Sequence, residues 1–263
     1  MSITLIIIIA NIVISFYGFK NNDFFSKNKF NISSLKSGEY YRLITSGFLH
    51  VDFNHLLLNM LTLFFFINPV INSLGFLYFF IIYFFCLLGG NLFAYYYHIK
   101  ENNYSAVGAS GAVMGIVFSS ILLNPSMKLF FIFLPIPIPG YLFGIGYLLY
   151  TILGMKNKND SIGHSAHFGG AVAGLLFTVI LVPSIIFEST MTLLLLILTI
   201  ILSLYLIKRL NYFNSSLTFS FNLSPRRFFA SILPSESIKK AAGIADIFYN
   251  FVIGSCQNCK FEI

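Results

Sequence analysis

Long apolar runs are the feature that most restricts how this chain can fold. Only 10% of its 263 residues are charged, whereas soluble domains carry about 25%. Seven runs are candidate membrane spans, at approximately Ser2–Phe19, His50–Ile71, Gly75–Tyr97, Ser110–Leu123, Ile138–Met155, Ala166–Val182 and Thr190–Ile207. The sequence therefore predicts an all-α, polytopic membrane protein.

The segments outside these runs differ in character. The run Ser2–Phe19 is kept as a span, because it lacks both a preceding basic region and a small-residue cleavage site. Segment Lys20–Leu49 mixes aromatic and basic residues, which predicts a folded loop partly embedded at the membrane interface. The proline-rich run Leu134–Pro139 predicts a loop between the fourth and fifth spans.

The residues after Ile207 predict a separate tail without identifiable chemistry. Leu217–Leu223 alternates like a strand, and Ser235–Val252 has the apolar spacing of an amphipathic helix. Cys256 and Cys259 form one CxxC with no second pair and no nearby histidine, so a metal or redox role is the minority interpretation.

The net charge of +7 does not indicate a nucleic-acid partner. The basic residues lie in loops and in the tail, and none forms a stripe interleaved with base-stacking aromatics. Contact with anionic lipid beside the spans is the simpler interpretation. Cys86 lies in the middle of a span and is interpreted as a packing residue.

The first motif of interest is Gly108-Ala109-Ser110-Gly111, between a polar loop and an apolar run. A serine there occupies the first turn of a membrane helix, where unpaired N–H groups and the helix dipole favour developing negative charge. By itself the motif is better explained by packing, because small residues let membrane helices approach closely.

A second cluster opens the second span, where polar side chains are costly and hence candidates for a site. His55 and Asn59 are four residues apart and share a helix face, and His50 lies at or just before the helix start. Zinc is disfavoured because Asp52 is the only acid close in sequence and cysteine partners are missing. For His55, hydrogen bonding of the loop to the helix end is the favoured interpretation.

A third cluster places His167, Gly170 and Gly174 on one helix face. Two glycines below a histidine let another helix come close beneath the imidazole, and Gly111 and Gly115 offer the matching small face. Packing of these faces would bring Ser110 near His167, as a histidine base for a serine requires. His164 is the competing base, but it lacks the glycine face.

Together, GxSG, HxxxxHxxxN and AHxxGxxxG, in this order and on these spans, resemble the rhomboid intramembrane serine proteases. The resemblance covers roughly Ser2 to Val182. It implies a Ser110–His167 dyad without a third acid, and an oxyanion hole made by the Ser110 backbone N–H and the side chains of His50 and Asn59. It further implies supporting roles for His55, Arg42, Gly108, Gly111, Gly170 and Gly174, with Arg42 bracing the first loop.

The sequence departs from the family pattern at three points. Tyr41 stands where tryptophan is usual, and Met114 stands where an aromatic residue often stacks on the catalytic histidine. The third departure is the charge distribution. If the site opens outward as in the family, the first loop lies on the outer side of the membrane together with its basic residues Lys20, Lys27, Lys29, Lys36 and Arg42. That placement contradicts the positive-inside rule; the motifs take precedence over it for the core.

These observations predict a rhomboid protease core over 1–183, an added helix over 184–210 and a tail over 211–263. The expected activity is cleavage of membrane proteins in or beside their transmembrane segments, with no metal or cofactor. The expected partners are transmembrane substrates and the lipid bilayer, and the expected location is a bacterial inner membrane with the site opening to the outer face. The family also suggests a mobile fifth span or a cap loop near residues 156–163.

Two other functions stay open. A non-catalytic rhomboid-like protein that binds transmembrane helices is the first, although such a protein is expected to lack the serine or the histidine. A small transporter or channel is the second, and the scarcity of charges within the spans argues against it. The dipeptide Asn68-Pro69 and the proline run do interrupt the apolar pattern.

Overall fold

The computed structural model describes residues 4–131, 134–156 and 162–214. The predicted strand and helix of the tail and the CxxC pair lie outside the described residues, as does most of the loop between 156 and 163. Over the described part the chain is a bundle of helices with two short antiparallel strand pairs, which confirms the predicted all-α polytopic architecture.

The elements follow in the order α1 (Thr4–Lys20), α2 (Asn22–Asn28), β1 (Phe30–Asn31), α3 (Ile32–Lys36), α4 (Arg42–Thr45), a 3-10 turn (Ser46–Phe48), α5 (Phe53–Leu74), α6 (Phe76–Tyr97), β2 (Ser105–Ala106), α7 (Ser110–Leu123), β3 (Lys128–Phe131), β4 (Leu134–Pro139), α8 (Gly140–Lys156), α9 (His164–Leu181), α10 (Ile185–Glu188) and α11 (Thr190–Asn214). Each of the seven predicted spans has a helix, with bounds shifted by a few residues, and the last helix is longer than its apolar run.

Within the described residues, four stretches are long and apolar enough to cross a membrane: Phe53–Leu74, Phe76–Tyr97, His164–Leu181 and Thr190–Arg209. Two shorter apolar helices, Leu5–Lys20 and Ser110–Leu123, accompany them. The short helix α7 is the centre of the bundle, because it packs against α5, α6 and α9 and every residue from 111 to 122 is buried.

Helix α5 passes through Asn68-Pro69 without interruption, although the sequence pattern is broken there. Its start is fixed by Asp52, whose carboxylate accepts a hydrogen bond from the His55 backbone N–H at 2.7 Å. Its end is set by Gly75, whose φ of +83° is a conformation that favours glycine.

The predicted loop Lys20–Leu49 is folded and contains α2, α3 and α4. Strand β1 pairs with β2, with Phe30 opposite Ala106, so this loop joins the segment that leads into α7. Its buried residues Phe30, Ile32 and Leu35 form a small core with Ala94 and Ala166. The loop is thereby attached to the end of the bundle where α7 begins.

The proline run Leu134–Pro139 connects the fourth and fifth spans, as predicted, and within this connection it forms strand β4, which pairs antiparallel with β3. Proline fixes φ in a range that extended backbone also uses. Alternation of proline with isoleucine is therefore compatible with a short two-stranded edge, where few N–H donors are needed.

The seventh predicted span, α11, packs on α8. Leu196 is fully buried, and its Cδ2 lies 2.9 Å from where a Cβ on Gly144 would stand. The added helix is therefore in direct contact with the helix that also borders α9.

Candidate active site

Ser110 begins helix α7 at the end of a tight turn. Gly108 has a φ of +130°, and its N–H donates to the Ser46 carbonyl at 3.0 Å. Ala109 at the N-cap provides no side-chain hydrogen bond to the helix. The N–H groups of the first turn therefore point beyond the helix end without a capping acceptor, beside a half-buried Ser110.

Close contact between α7 and α9 brings the serine and histidine segments together. A Cβ on Gly170 would collide with the Gly111 carbonyl oxygen, and a Cβ on Gly174 would collide with that of Gly115. The predicted packing of the two glycine faces is thus confirmed. Ser110 and His167 flank the upper of these contacts, next to Gly111 and one turn before Gly170 respectively.

The two side-chain atoms that could react, the Ser110 hydroxyl oxygen and Nε2 of His167, are not engaged in hydrogen bonds among the described residues. Among the described residues, neither the Ser110 hydroxyl nor Nε2 of His167 makes a hydrogen bond, and no hydrogen bond joins the two side chains. Both residues are partly exposed, although most of their helix neighbours are buried. An accessible serine and an imidazole nitrogen at one helix junction can give a nucleophile and a base once substrate aligns them.

His164, the competing base, points to a different neighbour. Its imidazole occupies the space that a Cβ on Gly154 would need, and its ring centroid lies 5.2 Å from that of Tyr150. The residue is 3% exposed. This buried location against α8 favours His167 as the base.

His50 is fully buried in a hydrogen-bonded chain that fixes its protonation. The Ser15 hydroxyl donates to the Phe48 carbonyl at 2.9 Å and lies 2.8 Å from Nδ1 of His50. Because that hydroxyl has one proton, Nδ1 must be the donor to Ser15. Nε2 then accepts from the Ala109 N–H at 3.4 Å. Burial, and secondarily His55, lower the pKa of His50 well below its usual value, in agreement with a neutral ring.

His55 does not hydrogen-bond the loop to the helix through its side chain, so that expectation is wrong. Its backbone N–H forms the cap with Asp52, while its Nδ1 is buried without a hydrogen-bond partner among the described residues. The ring instead packs edge-on against His50, with centroids 4.9 Å apart, and lies over Gly108. The reason is geometric: the ring points across the helix toward α7 instead of back along the loop.

Asn59 lies one turn below His55 and is 6% exposed. Its Nδ2 donates one hydrogen bond to the His55 carbonyl at 2.9 Å. An amide nitrogen carries two protons, so the second is available to another acceptor.

Arg42 is buried in the first loop and joins three parts of it. Its Nη1 donates to the carbonyls of Ser26 and Lys29, each at 2.8 Å, and its Nε donates to Glu39 at 2.7 Å. The residue lies 5.6 Å from the ring centre of Tyr41. These hydrogen bonds hold three parts of the first loop together, as the role implied for Arg42 requires.

Tyr147 of α8 is the residue that the sequence reasoning missed. Its hydroxyl lies 2.9 Å from Nδ1 of His167, and the two rings are tilted by only 27°. Met114 stands at the position where the family often has an aromatic residue against this ring. A tyrosine within a span was the available signal, because its buried hydroxyl needs a partner.

Metal ligation by His50 and His55 is the disfavoured interpretation of their sequence cluster. Within the described part of the chain, no group of three or more histidine, cysteine, aspartate or glutamate side chains could hold an ion. Cys86 is fully buried beneath Gly115, which confirms its packing role.

The sequence of this chain is similar to those of known proteins. The family model described as the rhomboid domain matches residues 37–184. RHOMBOID-like protein 12, mitochondrial, of Arabidopsis thaliana is 33% identical over 172 residues, which are 59% of this chain and 51% of the relative. Rhomboid protein 1, mitochondrial, of Saccharomyces cerevisiae is 30% identical over 139 residues, covering 51% and 40% respectively.

The human presenilin-associated rhomboid-like protein, mitochondrial, is 29% identical over 141 residues, 51% of this chain and 36% of that protein. The chain therefore spans about half the length of the curated relatives it matches, or less.

Proposed function

Because this chain belongs to the rhomboid family, we propose that it is an intramembrane serine endopeptidase. It hydrolyses peptide bonds in or next to transmembrane segments of other membrane proteins. One observation carries this proposal. The Ser110 hydroxyl and Nε2 of His167 lie beside the Gly111–Gly170 contact, their residues are partly exposed, and neither atom makes a hydrogen bond among the described residues.

The proposed reaction follows from the chemistry of the two groups. The Ser110 oxygen attacks the substrate carbonyl while Nε2 of His167 takes the serine proton. The protonated His167 then gives that proton to the leaving amine, and an acyl group remains on Ser110. Water, deprotonated by His167, attacks the acyl group and the ester bond to Ser110 breaks. The proton on His167 returns to the Ser110 oxygen as the new carboxyl end is released. No metal or cofactor enters either step.

The proposed oxyanion hole uses the Ser110 backbone N–H, the second amide proton of Asn59 and the side chain of His50. The first two are donors in the resting arrangement. His50 is different, because its Nε2 accepts from Ala109 N–H. His50 becomes a donor only if a proton reaches Nε2, so stabilisation of the oxyanion begins with Ser110 and Asn59.

The proposed substrates are transmembrane proteins. A peptide bond in a membrane helix is shielded by its own backbone hydrogen bonds, so the helix must unwind before Ser110 can reach a carbonyl. Helix-breaking residues and a small residue at the cut are the expected preference. The lipid bilayer is the other partner, and no nucleic acid is proposed.

The test is labelling of the detergent-purified protein with a fluorophosphonate probe. Wild type is compared with Ser110→Ala and His167→Ala, and Ser126→Ala, which removes an exposed serine beyond the far end of α7, is the matched control. Loss of labelling in the first two variants and retention in the control is the expected result. Labelling that survives Ser110→Ala, or none in folded wild type, would favour the non-catalytic protein that binds transmembrane helices.

The chain is a multi-pass integral membrane protein, and its membrane belongs to the proposal. We place it in a bacterial inner membrane with the site opening to the outer face. The relatives named above are mitochondrial by name, and an organellar membrane is the alternative that those names suggest. The family match ends at residue 184, which supports a protease core over 1–183 with 184–210 as an added helix.

A further inference from the structure

Tyr147 is held against His167 by its own surroundings. It is 4% exposed on α8, and its ring stacks on Phe143 with centroids 5.8 Å apart and planes 23° apart. The ring of Phe118, from α7, lies 6.3 Å away. These contacts fix the ring, so the hydroxyl has a defined position 2.9 Å from Nδ1 of His167.

The direction of this hydrogen bond decides whether His167 can act as a base. A neutral imidazole carries one proton, and the bond made by one nitrogen selects the state of the other. If Tyr147 donated to Nδ1, Nε2 would carry the proton and could not accept one from Ser110. If Nδ1–H donates to the Tyr147 oxygen, Nε2 keeps its lone pair free, at the cost of leaving the Tyr147 O–H proton without an acceptor among the described residues.

The second arrangement also suits the charged state. When His167 takes the serine proton, Nδ1–H still donates to the Tyr147 oxygen, and a hydrogen bond from a cation is stronger than one from a neutral ring. Histidine bases in other enzymes obtain this orientation from a third group. Among the described residues, the Tyr147 hydroxyl is the hydrogen-bond partner of Nδ1.

We infer that Tyr147 is a positioning residue that holds His167 with its proton on Nδ1 and its Nε2 free toward Ser110. This inference rests on the proposed protease function. It also accounts for Met114, because the aromatic support of the histidine comes from α8 and not from the helix of the serine. The base is therefore oriented by a helix that packs on the added helix α11.

The experiment combines spectroscopy with kinetics. Nitrogen-15 NMR of ring-labelled histidine in the detergent-purified full chain reports which nitrogen of each imidazole is protonated, and the His167 signal is assigned by its loss in His167→Gln. Tyr147→Phe removes the hydroxyl and keeps the ring. Tyr150→Phe, which removes a hydroxyl one turn away, is the matched control.

We expect the wild-type His167 to carry its proton on Nδ1, and Tyr147→Phe to shift it toward Nε2. The maximal rate of fluorophosphonate labelling should fall by about 10-fold, the lower end of the effect of groups that orient another residue. The probe concentration for half-maximal rate should stay unchanged, and Tyr150→Phe should behave as wild type at His167.

An Nε2-protonated ring in wild type, or an unchanged ring and rate in Tyr147→Phe, would overturn the inference. The two proposals fail separately. Correct protonation that depends on Tyr147, in a protein that no probe labels, would support the role of Tyr147 while removing the protease. Labelling that needs Ser110 and His167 but not Tyr147 would do the reverse.

Discussion

At the scale of single residues, Gly108 meets two requirements at once. Its φ of +130° is a conformation that residues with side chains rarely adopt. In addition, a Cβ there would stand 2.8 Å from Cε1 of His55 and 3.6 Å from the Ser110 hydroxyl oxygen. A side chain at position 108 would therefore strain the backbone of the turn into α7, and it would have too little space beside His55.

Gly108→Ala should consequently reduce the rate of fluorophosphonate labelling by at least about 10-fold. The ring of His55 or the start of α7 must shift to admit the methyl group, and displacement of a reacting group by about 1 Å lowers the rate on the order of 100-fold. Labelling rate and thermal midpoint are measured together. Gly38→Ala is the control, since Gly38 has a φ of +94° with nothing within 4 Å of its Cβ position. It should lower stability by about 1 kcal/mol, the cost of a left-handed conformation for a residue with a Cβ, and leave labelling intact. Equal labelling of both variants would contradict the crowding argument.

His50 leads to a prediction about pH. Its pKa is lowered in the folded protein, so the unfolded chain takes up the proton first as pH falls. The stabilisation that His50 contributes is complete above its unfolded pKa, near 6.5, and is lost progressively below it. Thermal midpoints between pH 8 and pH 5 should therefore fall in wild type.

His50→Gln retains an acceptor for the Ala109 N–H and a donor for Ser15 but does not titrate. Its thermal midpoint should fall less steeply below pH 6.5 than that of wild type. The difference between the two slopes isolates His50 from the other four histidines. Parallel slopes would show that His50 is not neutral and buried as described.

At the scale of elements, the contact between α7 and α9 depends on backbone meeting backbone. Helix association in lipid relies on close packing, because lipid tails are as apolar as the side chains. At Gly170 the neighbouring atom is the Gly111 carbonyl oxygen, which cannot rotate aside as a side chain could.

Gly170→Ala should therefore push the two helices apart and separate Ser110 from His167. We expect the rate of labelling to fall by at least about 10-fold, because a small displacement of the reacting groups is enough to slow the reaction. The thermal midpoint should also decrease. Gly146→Ala on α8 is the matched control, since nothing lies within 4 Å of that Cβ position, and it should label as wild type. Normal labelling of Gly170→Ala would mean that the two helices do not approach as closely as described.

At the scale of the whole molecule, the β1–β2 pairing places the first loop beside the segment that leads into α7, at the same end of the bundle. Ser126 follows the opposite end of α7. The basic first loop is thus at the end of the bundle that carries the candidate site. If that site opens to the outer face, as proposed, the loop lies against the preference for cytoplasmic positive charge.

Cysteine labelling in intact bacterial cells tests this orientation. Ser37→Cys and Ser126→Cys, both at exposed positions, are placed in a chain whose Cys86, Cys256 and Cys259 are replaced by alanine. A membrane-impermeant maleimide should label position 37 and reach position 126 only after permeabilisation. The opposite pattern would show that the site opens to the cytoplasm.

By itself, the sequence determined the helical membrane fold, the approximate spans, and the glycine faces that bring the serine and histidine helices together. These features depend on composition and on spacing within one segment, which hydropathy and helix periodicity make readable. The candidate roles of Ser110 and His167 followed from the same local patterns.

Only the tertiary structure decided the features that join distant segments. Examples are Tyr147 at His167, the acceptor role of His50 through Ser15 and Ala109, the β3–β4 pairing, and the contact of α11 with α8. A hydrogen bond depends on where two side chains meet in space, and hydrophobic periodicity carries no information about that partner. For this reason the orientation of the base could be described only once α8 was seen beside α9.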